Sequence, residues 1–199
     1  EYDQIMRIHQ TWADTNESNI DTAVTSELDG DIYRRAFFSL RPGSMISNYM
    51  LDFLLIGLQE QSGRHFEANN YAHNIAHMPT TVTGIQNGAA SGLWCRHQVY
   101  KNYTLDKVNC ICFLHLRDQH YFTVIAELRE RPPRLHIYDS MKAVSQTTPI
   151  EDNPFDTYTL ACDQVQDFLK RVAERQNKVP FVFQPEQRFL MHCPQQGAS

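Results

Sequence analysis

With 199 residues, 42% hydrophobic and 11% aromatic, the chain can build one domain around a sizeable core. Its net charge of -5, sequence pI of about 6.0 and scattered Lys and Arg leave no basic footprint for nucleic acid, and no apolar run approaches the roughly 20 residues of a membrane helix. Five cysteines (Cys95, Cys110, Cys112, Cys162, Cys193), an odd number with two inside one apolar run and no secretory segment ahead of them, point to reduced thiols in a cytoplasmic or nuclear setting rather than a disulfide framework.

Taken in order, Asp3 to Ala13 places Ile5, Met6, Ile8 and Trp12 at near-helical spacing and predicts a short amphipathic helix, followed by a polar loop from Asp14 to Asp21. Arg41-Pro42-Gly43-Ser44 forces a turn, and Ser44 can cap the clearest helix, about Met45 to Gln59. Its Ile46, Tyr49, Met50, Phe53, Leu54 and Leu58 fall on one stripe and read as core. The middle third is polar from Gln61 to Asn70 and rich in Thr, Gly and Ala from Met78 to Gly92. His73 and His77 have the i, i+4 spacing with which two histidines on one helical face hold zinc, but no third donor completes a site. Hydrogen-bonded or surface histidines are the better reading, and neither a metal nor a cofactor is assigned. Leu93 to Tyr100, with Trp94, is a further helix candidate.

Three apolar runs follow in close succession: Val108 to Leu116, Tyr121 to Leu128 and Leu135 to Tyr138, each bounded by polar breaks and each reading as a strand. The Pro132-Pro133 break makes a hairpin of the second and third. His120, just before the second strand, and Asp139, just after the third, therefore come to one edge of one sheet. An aspartate that accepts the Nδ1 proton of an imidazole leaves Nε2 as a base, which is two thirds of a nucleophilic triad. The plainer alternative is a structural histidine beside a turn aspartate. Beyond a polar loop from Lys142 to Asp156, Tyr158 to Gln176 predicts a second helix, capped by Asp156 or Thr157, with Leu160, Val165, Phe168, Leu169 and Val172 on one side. Pro180 stops any continuation by Val179, and Phe181-Val182-Phe183 and Phe189-Leu190-Met191 are short strand candidates.

Five features in this order, Leu105-Asp106-Lys107-Val108, the strand ending in His115-Leu116, the His120-Tyr121 pair, the Tyr138-Asp139-Ser140 turn and Pro194-Gln195-Gln196, resemble the SUMO-specific protease family. These are papain-like cysteine proteases that cleave ubiquitin-like modifiers, with adenoviral and bacterial-effector relatives. The resemblance implies an α+β, papain-like fold, with a mixed sheet around Val108 to Tyr138 and a helical side from Met45 to Gln59. It spans 31–199 as a protease-like domain and leaves 1–30 as an N-terminal helical extension. His120 matches the general base, Asp139 its orienting partner and Gln196 the oxyanion-hole amide, a role that passes to Gln195 if the intervening loop is one residue shorter. His115 matches a position that is not catalytic.

The family's nucleophile lies in an Asp-Cys-Gly motif six residues after the matched glutamine, so the resemblance places it three residues past Ser199. A chain starting at Glu1 rather than Met reads as part of a longer protein, and these 199 residues alone are expected to be inactive. Cys193 precedes Pro194, on the wrong side of the glutamine, and reads as a buried structural thiol. Met45-Ile46-Ser47-Asn48 replaces the Trp-Leu-Asn-Asp usual in the family, and Tyr121 replaces the tryptophan that helps line the tunnel for the modifier's Gly-Gly tail. Met45 and Tyr121 thus become the candidate substrate-binding positions, and the modifier, SUMO, ubiquitin or another, stays open. The implied setting is intracellular, a host-cell-delivered effector included. Two other functions fit the same residues: an inert module that holds a ubiquitin-like protein, and acetyl transfer, against which Asp139 argues because the acetyltransferases of this clan generally carry glutamate.

Overall fold

The computed structural model describes residues 23–27, 30–33, 46, 50–51, 54–55, 58–59, 75–78, 104–117, 120–142, 144–151, 153 and 155–194. The chain divides into two compact units, Glu1–Leu54 and Leu55–Ser199. In the first, β1 (Ala23–Glu27) and β2 (Gly30–Tyr33) pair antiparallel with Glu27 opposite Gly30. The hydrophobic pattern flags no strand in this stretch; the Asp29-Gly30 dipeptide beside the turn is the signal that could have found the hairpin. The helices expected over Asp3 to Ala13 and Leu93 to Tyr100 lie outside the described residues.

The second unit is built on a six-stranded sheet in the order β3-β4-β5-β6-β8-β7. Its strands are β3 (Ile75–Met78), β4 (Cys110–Arg117), β5 (His120–Glu127), β6 (Arg134–Tyr138), β7 (Thr148–Pro149) and β8 (Arg188–Leu190). β3 and β4 run parallel, β4 to β6 form consecutive antiparallel pairs, and β8 returns parallel to β6, so the sheet is mixed and the architecture α+β. A parallel return needs a crossover. Here it contains the helix α1 (Thr157–Arg175).

Strand alternation turns Ile111, Phe113 and His115 of β4, Phe122, Val124 and Ala126 of β5, and Leu135 and Ile137 of β6 onto one face, and all are buried. Ala161, Cys162, Val165, Phe168, Leu169 and Val172 of α1 join them in a single core, with Phe168 edge-on to Phe113 at 5.3 Å between ring centroids. Each large apolar side chain so buried contributes about 1.5–3 kcal/mol. Leu160, expected on the inner stripe, is 48% exposed. The helix starts as anticipated, with Asp156 accepting from the N–H groups of Tyr158 and Thr159. Its end is decided before Pro180. Asn177 adopts φ 52°, its N–H bonds the Glu174 carbonyl, and the Lys178 N–H reaches back to Ala173, a Schellman closure.

Three further expectations are corrected. Phe181-Val182-Phe183 is not a strand: the Phe183 N–H donates to Gln166 Oε1 of α1 at 2.9 Å, so a helix side chain takes the bond a strand neighbour would. Residues 50, 51, 54, 55, 58 and 59 are helical, yet Ile46, Leu54 and Leu58 of the expected core stripe are exposed, whereas Leu55 and Gln59 are buried. Gln59 is inside because its Oε1 accepts the backbone N–H of His77 at 2.7 Å, a use that periodicity, which counts glutamine as polar, does not register. His77 itself lies on β3, so the helical spacing that linked it to His73 as a metal pair does not hold, and burial lowers its pKa.

Candidate active site

His120 opens β5 and Asp139 immediately follows β6. By strand alternation His120 shares a face with Phe122, Val124 and Ala126, and Asp139 shares it with Leu135 and Ile137. The polar pair therefore continues two core rows just past the point where the core ends. Side chains there are shielded from bulk water without being sealed in: His120 is 16% exposed and Asp139 5%.

The two meet with His120 Nε2 2.8 Å from Asp139 Oδ1. This reverses the nitrogens assigned from sequence. The cause is the register. β5 pairs Thr123 with Tyr138, so Asp139 comes opposite Phe122 and His120 stands two residues farther on. Diagonal neighbours of this kind are about 7–8 Å apart, and the outer ring nitrogen spans that gap. A carboxylate at Nε2 holds the proton there and leaves Nδ1 with its lone pair; among the described residues Nδ1 has no partner.

Asp139 is held on both oxygens. Oδ1 also accepts the Met141 N–H at 2.8 Å, an Asx turn, and Oδ2 accepts the Tyr158 hydroxyl at 2.7 Å. Burial pushes the Asp139 carboxyl up, but the bonds from Tyr158, the Met141 N–H and His120, with the attraction of the His120 ring when it is protonated, outweigh it and hold the carboxyl below its ordinary range. Tyr158 is pushed the other way, by burial first and then by the neighbouring carboxylate, so its phenol stays a donor. Its ring is edge-on to Phe122 at 5.5 Å, and the Arg117 guanidinium lies 5.9 Å from its centroid.

A second imidazole–carboxylate contact, His136 Nδ1 to Glu127 Oε1 at 3.3 Å, lies on the opposite face, at the far end of β5, and is longer. Among the described residues no group of three or more His, Cys, Asp or Glu could hold a metal ion.

No protein-family model matches the chain, and no curated protein matches it in sequence. Solved structures do match in shape. The C-terminal Ulp1 protease domain, in complex with Smt3, the yeast ortholog of SUMO, superposes with a TM-score of 0.62 at 15% identity over 96% of this chain and 74% of that one. The catalytic domain of the Chaetomium thermophilum Ulp1-like SUMO protease gives 0.56 at 14% identity, over 98% and 72%. A de-sumoylating protease gives 0.53 at 18%, over 84% and 61%. The chain has the fold of the Ulp1-like SUMO proteases.

Within this Ulp1-like fold the structure brings two of the five sequence-selected site residues together, His120 and Asp139. Tyr121 is half-buried opposite Leu116, and alternation turns it to the other face from His120. Gln196 and Met45 lie outside the described residues. Cys193 is buried and forms no disulfide among the described residues. From the sequence Tyr158 reads only as the start of a helix. Nothing in the local pattern distinguishes it; its partner is Asp139, brought near by the crossover that packs α1 on the sheet. No described helix is long and apolar enough to cross a membrane.

Proposed function

We propose that the chain carries the base and its orienting carboxylate in a thiol isopeptidase or endopeptidase that acts on a ubiquitin-like modifier. The observation that carries this is the 2.8 Å contact between His120 Nε2 and Asp139 Oδ1 at the end of a sheet with the SUMO-protease fold. In the reaction, Nδ1 takes the proton of the attacking thiol and the thiolate adds to the carbonyl carbon of the modifier's C-terminal bond. The imidazolium formed is stabilised by Asp139, then returns its proton to the leaving amine as the tetrahedral species collapses to a thioester. Water, activated by the same nitrogen, hydrolyses the thioester. The resemblance assigns the thiol to a cysteine following Ser199 and the oxyanion donor to Gln196.

The test uses SUMO and ubiquitin bearing C-terminal vinyl sulfone or aldehyde groups against the protein extended past Ser199. A covalent adduct with one modifier, lost in His120→Ala, is expected, and the 199-residue chain alone is expected to show no turnover. An absence of adduct with every probe overturns the reading. Tight binding of a modifier without an adduct would assign the site to holding rather than cleaving.

A further inference from the structure

We infer that the Tyr158 hydroxyl is a positioning group for the dyad, fixing the plane of the Asp139 carboxylate so that Oδ1 faces His120. The catalytic consequence rests on the isopeptidase reading above; the positioning itself does not. A carboxylate rotates in a broad two-fold well about its last bond and can offer either oxygen to a neighbour. Here Oδ1 serves His120 Nε2 and the Met141 N–H, while Oδ2 has the Tyr158 hydroxyl as its partner among the described residues. Three donors on two oxygens leave one orientation.

Tyr158 is itself immobilised. Its backbone N–H is bound by the Asp156 cap at 3.0 Å, one side of its ring meets Phe122, and Arg117 reaches over the ring. A buried phenol whose oxygen aims at a carboxylate and whose ring is packed costs stability unless the bond is made. The titratable and charged groups around the pair are His120 on β5, Arg117 on β4 and Asp156 at the start of α1. The phenol is the group bonded to Oδ2 among the described residues.

Tyr158→Phe keeps the ring contacts and removes only the hydroxyl. In the 199-residue chain, the carboxyl carbon of Asp139 followed by NMR is expected to titrate about one to two pH units higher in this variant, the equivalent of one charge-assisted hydrogen bond. The imidazole nitrogen shifts of His120 should move toward a mixture of tautomers. Should Tyr158→Phe not fold, 2,3-difluorotyrosine at 158, a near-isosteric and stronger donor, is expected to move the Asp139 titration down instead. In the thiol-bearing protein Tyr158→Phe should lower kcat about tenfold at unchanged KM. A fall in melting temperature with the Asp139 titration and the His120 shifts unmoved in both variants would overturn the inference. If they move while no modifier probe reacts, the positioning stands and the isopeptidase reading falls.

Discussion

Two imidazoles on adjacent strands of the same face are treated in opposite ways. His120, at the end of β5, meets a carboxylate backed by a phenol and a backbone N–H. His115 sits in the apolar layer one step inward, stacked on Phe122 at 5.3 Å with the ring planes 15° apart, and its Nε2 has no partner among the described residues. Burial lowers the His115 pKa to about 4, so at neutral pH it is an uncharged aromatic plate. Phe122 touches both neighbourhoods, stacking on His115 and meeting the edge of Tyr158. The face, shared by both, does not decide the role of a histidine; the end of the strand does, because there a loop and a helix start can supply polar partners.

The polar end is the more sensitive of the two. Asp139→Asn in the thiol-bearing protein should reduce kcat/KM by about 10³–10⁴-fold, because an amide no longer selects the Nε2–H tautomer or stabilises the imidazolium. Steady-state turnover of a modifier conjugate checks it; a loss under tenfold would put Asp139 outside the mechanism.

Next comes the apolar layer. An imidazole lowered from 6.5 to about 4 on folding binds fewer protons than the unfolded chain between those values. Stability is therefore fully present above pH 6.5 and is lost as pH falls, by about 3 kcal/mol once both states are protonated. His77, also lowered by burial, contributes with the same sign, and Asp139 adds a further loss only below the ordinary carboxylate range. His115→Leu should remove most of the slope and cost little at pH 7, since it deletes an unpartnered buried nitrogen. Urea unfolding at pH 7 and pH 5 reads this directly; an unchanged slope would mean that His115 is not the group responsible.

Two substitutions with smaller effects separate scaffold from site. Asp156→Ala removes the cap that seats Tyr158 and should cost about 1 kcal/mol of stability. Arg171→Ala breaks an exposed ion pair with Asp167, 2.7 Å long but 40% and 51% exposed at its two ends, and should cost no more than about 0.5 kcal/mol. Thermal unfolding of the two variants side by side should rank them in that order.

Much of this was legible from residue order. The strands β4 to β6 alternate cleanly, and the Pro-Pro break marks the hairpin of β5 and β6, so residue order alone brings His120 and Asp139 to one edge. The ring nitrogen facing Asp139 was not legible, because it follows from a two-residue offset in register. Nor was Tyr158, whose partner is supplied through a crossover. Gln59, Gln166 and Gln176 each accept a backbone N–H from a distant segment, tertiary bonds that the apolar period does not register.

Alternation, turn residues and caps act over a few residues, and so the local pattern sufficed for the three central strands, the capped helix after them and the meeting of His120 with Asp139. Which imidazole nitrogen faces Asp139, which of two neighbouring histidines is paired and which tyrosine holds the carboxylate are tertiary outcomes. Those outcomes depend on register and on elements far apart in the chain packing at one strand end, where a single residue's offset changes every partner.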